Sequence, residues 1–97
     1  MSGMFLNGID IDVIKALGDE TRIGILLIIG KKELNATEIS NKCTLSRPTI
    51  SHHLQILKRA NILTARKEGT EIYYSIYMGT LKKLSRTFLS FTNSGTF

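Results

Sequence analysis

Apolar residues recur along the 97-residue chain with two different periods, and the change between them places the elements. Ile9, Val13, Ile14 and Leu17 fall near one face at helical spacing, which predicts a short amphipathic helix ended by Gly18. Asp19 can cap a second helix, with Glu20 in the first turn where acid suits the dipole. That helix runs to about Ile29, is apolar nearly all round, and closes at Gly30-Lys31-Lys32. Asn35-Ala-Thr-Glu38 has capping-box spacing and opens a third helix, to about Lys42. A tight turn through Cys43, Thr44 and Leu45 leads to a fourth helix at Ser46. Ser46 is a good N-cap, and Pro48 sits in the first turn, where a missing N–H costs little. Ile50, Leu54 and Leu57 give this helix a core stripe.

After Ala60-Asn61 the period drops to two. Leu63 to Lys67 and Glu71 to Tyr77 read as strands around Glu68-Gly69-Thr70, with Gly69 able to supply a positive φ at the turn. Ile72, Tyr74 and Ile76 alternate with Tyr73, Ser75 and Tyr77, so one face is expected to be buried. A last helix, about Gly79 to Phe91, presents Leu81, Leu84, Phe88 and Phe91 as a stripe. Met1 to Gly8 and Thr92 to Phe97 are expected to be loosely ordered. The order is α-α-α-α-β-β-α, mainly α with a small β-hairpin wing: a winged helix-turn-helix filling one domain, 1–97. The helix-turn-helix spans 35–60 and the wing 62–77.

The fourth helix carries the chemistry. At about 100° per residue, Pro48, His52, Gln55 and Arg59 lie opposite the core stripe, flanked by Ser51. That side is polar, donor-rich and nearly free of acid, and it suits a DNA major groove. Ser46, Arg47, Thr49 and Ser51 crowd the helix start, where free N–H groups and the dipole add to an anion site. His52 faces the groove side, whereas His53 points to the core margin. Adjacent histidines diverge by about 100° and make poor co-ligands for one metal. Lys58 and Arg59, late in the helix, suit phosphates. Arg66 and Lys67 on the wing would hold backbone phosphates or enter the minor groove, adding affinity more than sequence discrimination.

Composition narrows the picture. A net charge of +5 favours a polyanionic partner. The single cysteine, Cys43, excludes an intrachain disulfide and fits a reducing compartment. It is expected to pack as a small hydrophobe. The N-terminus has no basic region or cleavage-type ending, and the longest apolar run, around Ile23 to Ile29, is too short to span a bilayer. A cytoplasmic protein without membrane insertion is expected. No paired carboxylates, nucleophile–base arrangement or phosphate-cradling glycine loop points to an enzyme.

The chain resembles the ArsR family of bacterial winged-helix repressors over residues 9 to about 91. The resemblance rests on Ala16-Leu-Gly-Asp-Glu-Thr-Arg22, Ser51-His-His-Leu54, Leu57-Lys-Arg-Ala60 and Gly69-Thr-Glu-Ile-Tyr-Tyr-Ser-Ile76. It implies a homodimer packed through its first and last helices (8–17 and 79–92), with Ile9, Val13, Ile14, Leu17, Leu81, Leu84, Phe88 and Phe91 at the interface. It implies binding of double-stranded DNA at an inverted-repeat operator and release on a signal. The family's metal sites do not carry over. Asn35 and Thr37 stand where the arsenic, lead and cadmium sensors place a Cys-x-Cys pair, and Gly79 to Phe91 holds no Asp, Glu, His or Cys for a zinc site. No cofactor is therefore expected. Gly24 and Leu27 put extra apolar surface on the second helix, where the family is usually polar. Two alternatives follow: an interaction module docking a sensor or membrane-bound protein antagonist through that helix, and a thiol sensor using Cys43.

Overall fold

A computed structural model describes residues 5–6 and 9–92, with side-chain surroundings from Asp10 onward. The elements run β1 (Phe5–Leu6), β2 (Ile9–Asp10), α1 (Ile11–Leu17), α2 (Glu20–Ile29), β3 (Leu34–Asn35), α3 (Ala36–Ser40), α4 (Arg47–Arg59), β4 (Leu63–Glu68), β5 (Glu71–Ile76) and α5 (Met78–Thr92). This is the expected winged helix-turn-helix, with three short strands added: a pair at the N-terminal end and one before α3.

The first addition corrects the N-terminal reading. Ile9 is not helical: Ile9–Asp10 pairs antiparallel with Phe5–Leu6. Asp10 is extended, and its carboxylate accepts the Asp12 N–H at 2.9 Å, so the helix begins only at Ile11. Phe5 and Leu6 are thus strand rather than loose chain, while the other residues before Ile9, and those after Thr92, lie outside the described residues. The second addition is β3, which lies beside β5 through Leu34–Tyr74 and Asn35–Tyr73 and gives a three-stranded sheet ordered β3-β5-β4.

Helix boundaries follow their caps. Asp19 accepts the Arg22 N–H at 3.0 Å. Asn35 and Glu38 form the reciprocal capping box, at 2.8 and 2.9 Å. Ser46 caps α4. Its far end closes through Asn61, left-handed at φ 61°, with Asn61 N–H donating to Lys58 and Ile62 N–H to Leu57. Those two bonds are a Schellman closure, and they turn the chain directly into the wing.

Ile25, Ile29, Ile39, Ile50, Leu54, Leu57 and Ile62 are fully buried and bind α2, α3 and α4 into one core, to which Val13, Ala16, Leu63 and Tyr74 add. Burying each such side chain stabilises by about 1.5–3 kcal/mol. The core face of the wing fades toward its tip: Tyr74 is buried and Ile76 half-buried, but Ile72 is exposed. The alternation therefore predicted the face correctly and overstated its length. Helix α5 is different from the rest, since none of its 15 residues is buried. The described chain is accordingly elongated, 50 × 27 × 20 Å.

Candidate nucleic-acid interface

Helix α4 is amphipathic. Its inner stripe, Ile50, Leu54 and Leu57, fixes it against the core. Ser46, Arg47, Pro48, Thr49, Ser51, His52, Lys58 and Arg59 are all exposed. The helix start is organised by Ser46, whose oxygen accepts the Thr49 N–H at 3.4 Å and whose hydroxyl donates to Thr49 Oγ1 at 3.0 Å. No acidic residue stands in that first turn.

Gln55 stands apart from the other residues of the polar side. It is half-buried, and its amide donates to the Tyr74 hydroxyl at 3.5 Å, tying α4 to the wing. A shallow groove runs beside this tie, lined by Arg47 and Ser51 from α4 and by Thr70, Glu71, Ile72 and Tyr74 from the wing. Recognition helix and wing thus form two walls of one surface.

The two histidines diverge as expected. His52 is exposed, and His53 is half-buried beside Arg22. Arg22 donates from Nε to the Ala16 carbonyl at 2.6 Å and from Nη2 to the Lys15 carbonyl at 3.3 Å. Its Nη1 faces His53 Nδ1 at 3.2 Å. Because a guanidinium only donates, Nδ1 must offer its lone pair, which assigns the ring proton to Nε2. Asp19 Oδ2 lies farther from Nδ1, at 4.0 Å. The Arg22 backbone N–H holds the Asp19 carboxyl below its ordinary range, against a weaker opposing effect of burial.

The wing tip turns at Gly69, φ +63°, a left-handed position that favours glycine. Arg66 and Lys67 are both exposed, but their surroundings differ. Arg66 is engaged by Glu33 and Glu68, with Nη2–Oε1 2.8 Å to Glu33 and Nη1–Oε2 2.6 Å to Glu68. Lys67 pairs with no acidic group among the described residues. The hydrogen bonds from Arg66 hold the Glu33 carboxyl below its usual range and raise Arg66 itself. Glu33 was not singled out in the sequence because 33 positions separate it from Arg66.

Among the expected pairing residues, Val13 is 3% exposed and is spent in the protomer's own core. Ile14, Leu17, Leu81 and Leu84 are half-buried, and the side chain of Ile9 lies outside the described surroundings. Phe88 and Phe91 are exposed, with ring centroids 5.8 Å apart. Met78, at the start of α5, and Leu89, neither of them anticipated, are exposed as well. Cys43 is half-buried with its thiol 3.5 Å from the Ile39 carbonyl. Among the described residues no group of three or more His, Cys, Asp or Glu could hold a metal ion, and no helix is long and apolar enough to cross a membrane.

A capped recognition helix, a helical core and a hairpin beside it define a winged helix-turn-helix regulator. The arsR family of bacterial regulatory proteins matches residues 19–65, from the α2 cap into β4. The transcriptional repressor SdpR of Bacillus subtilis is 37% identical over 84 residues, which cover 87% of this chain and 93% of that protein. An ArsR-like transcriptional regulator from Rhodococcus sp. RHA1 superposes with a TM-score of 0.78 at 31% identity, over 87% of this chain and 79% of its own. A homodimeric winged helix-turn-helix DNA-binding domain from Mycobacterium bovis, a possible ArsR-family regulator, gives 0.69 at 27% identity, again over 87% and 79%. The chain belongs to the arsR family: it is a DNA-binding transcriptional regulator and not an enzyme.

Proposed function

We propose that this regulator is a homodimeric repressor that reads an inverted-repeat operator in the cytoplasm and responds to no metal. The observation that carries the reading is the division of labour between two helices. Helix α4 exposes Arg47, Thr49, Ser51 and His52 at its start, with no acid in its first turn, while α5 exposes Met78, Phe88, Leu89 and Phe91. The first is a surface for a polyanion, and the second is a surface for apolar burial. The homodimeric state of the Mycobacterium bovis relative supports a second copy as the occupant of α5.

In this reading two α4 helices enter successive major grooves about one helical turn apart. Arg47 and His52 reach base edges, Ser46, Thr49, Ser51 and Arg59 meet phosphates, and Pro48 packs against the groove wall. Gln55 acts chiefly through Tyr74, keeping helix and wing in register. The repressor name of the Bacillus subtilis relative supports occlusion of a promoter as the outcome. Asn35 and Thr37 offer no thiolate, and α5 offers no carboxylate, imidazole or thiolate, so neither family metal site can assemble from these residues. A thiol switch lacks support too, since Cys43 is half-buried and no second cysteine exists in the chain to resolve it.

A gel shift of the purified protein on its own upstream DNA, at two salt concentrations, tests the proposal. Palindrome-dependent binding that weakens steeply with salt is expected, unchanged by Cys43→Ser or by added zinc. A second reading has one observation in its favour: Leu27 is 78% exposed and Ile23 39% on α2, an apolar strip suited to a protein antagonist. Loss of all salt-sensitive DNA binding would move the function to that surface.

A further inference from the structure

Arg66 and Lys67 are neighbours in sequence and opposites in space. In β4 the strand alternation puts Leu63, Ala65 and Lys67 on one face and Thr64, Arg66 and Glu68 on the other. Leu63 is buried, and Ala65 is paired with Tyr74, the residue that meets Gln55 of α4. Lys67 therefore stands on the face of the wing that adjoins the recognition helix, with Ile72 opposite it. Arg66 stands on the outer face, opposite Tyr73.

From there its guanidinium crosses the whole sheet. It leaves β4, passes over the Tyr73 ring of β5 at 5.1 Å from the centroid, and reaches Glu33, the residue before β3. Glu33 receives Nε on both carboxylate oxygens, at 3.2 and 3.1 Å, and Nη2 at 2.8 Å. Glu68 takes Nη1 at 2.6 Å. The cation is thus offset by two carboxylates and tied to all three strands' neighbourhood, on the side away from α4. A phosphate would have to displace both acids to use it. Lys67 has no acidic partner among the described residues and needs no such exchange.

We infer that Glu33 and Glu68 hold Arg66 across the outer face of the wing as a positioning brace, so that Lys67 alone carries the wing's phosphate contact. The inference rests on the reading of the wing as a DNA-backbone contact. It gives Glu33, which lies outside both the recognition helix and the hairpin, a share in setting how the hairpin is tilted against the duplex.

The test is equilibrium binding of the full chain, by fluorescence anisotropy, to a duplex of its upstream inverted repeat and to an unrelated duplex, between 50 and 200 mM salt. Each phosphate contact contributes about 0.9 to the slope of log K against log salt. Lys67→Ala is expected to flatten that slope by about 1.8 for two wings on one operator. Arg66→Ala and Glu33→Gln are expected to weaken operator binding by at most about fivefold, with the slope unchanged. The Arg66→Ala/Glu33→Gln double variant should be no weaker than Arg66→Ala alone. All of these residues are exposed, and a melting curve of each variant verifies folding. The inference is overturned if Arg66→Ala flattens the slope as much as Lys67→Ala does, or if Glu33→Gln tightens binding by freeing a cation for phosphate. A wild-type chain that binds neither duplex would instead remove the DNA reading itself, and the inference with it.

Discussion

Nη1 of Arg22 stands 3.2 Å from Nδ1 of His53, joining the start of α2 to the middle of the recognition helix. The same guanidinium closes the C-terminal end of α1 through the Ala16 and Lys15 carbonyls. One side chain therefore knits three helices, which gives the arginine in the first turn of α2 a structural role. Arg22→Ala should lower stability by about 1–3 kcal/mol, because acceptors on α1 and α4 lose their donor. Arg22→Lys should recover only part of it, since an ammonium lacks the planar fork that reaches three acceptors at once. Urea denaturation of the two variants checks both.

The exposed and buried sides of α4 should separate cleanly. His52→Ala or Arg47→Ala is expected to weaken operator binding by about 1–3 kcal/mol and leave the melting temperature nearly unchanged. Leu54, fully buried, behaves oppositely: Leu54→Ala should cost about 2–5 kcal/mol of stability. Anisotropy titrations paired with thermal melts distinguish the two. Unaltered operator affinity in both surface variants would mean that α4 presents a different side to the duplex.

Pairing through α5 predicts a charge-sensitive assembly. Phe88→Glu would place a carboxylate beside the exposed Phe91 ring, on the apolar side of α5, and should shift the protein to single subunits in sedimentation equilibrium. Operator binding should fall with it, because two half-sites held together bind with a higher effective concentration than two separate heads. A Phe88→Glu chain that remains dimeric would locate the interface elsewhere.

Acid should weaken the α2 cap. The folded Asp19 carboxyl titrates below its ordinary value of 3.8, chiefly because it accepts the Arg22 N–H. A group depressed in the folded state stabilises fully above its unfolded value and loses that contribution as pH falls through the folded one. Stability should therefore decline from about pH 5 downward, and Asp19→Asn should show a shallower decline over that window. Denaturation midpoints measured between pH 3 and 7 give the comparison.

Much of this was readable in the chain because the relevant signals are local. The caps at Asp19, Asn35 and Ser46, the 3.6-residue stripes of α4 and α5, and the switch to alternation at Leu63 all act within a few residues. The pairing of Phe5–Leu6 with Ile9–Asp10 is masked in the sequence by the helical spacing of Ile9 and Val13, which carries the helix reading past the Asp10 cap. Strand β3 had none, since two residues beside a capping box carry no period of their own. Long-range pairings were invisible for a different reason. Nothing near Arg66 announces Glu33, and adjacency in sequence makes Arg66 and Lys67 look like one basic tip although strand alternation sends them to opposite faces. Val13 packs in its own protomer rather than at a partner, since a stripe reveals which residues share a face and not which neighbour that face meets.

Helix α5 contributes no buried residue to its own protomer. Its Leu81 and Leu84 pack half-buried against the core, and under the proposed pairing through α5 its folding would be linked to the amount of protein present. Melting temperature should rise with subunit concentration, and a newly made copy at low abundance would hold its reading heads less firmly than one in a well-stocked cell. Under that pairing, synthesis rate would be an input to the regulator, ahead of any effector.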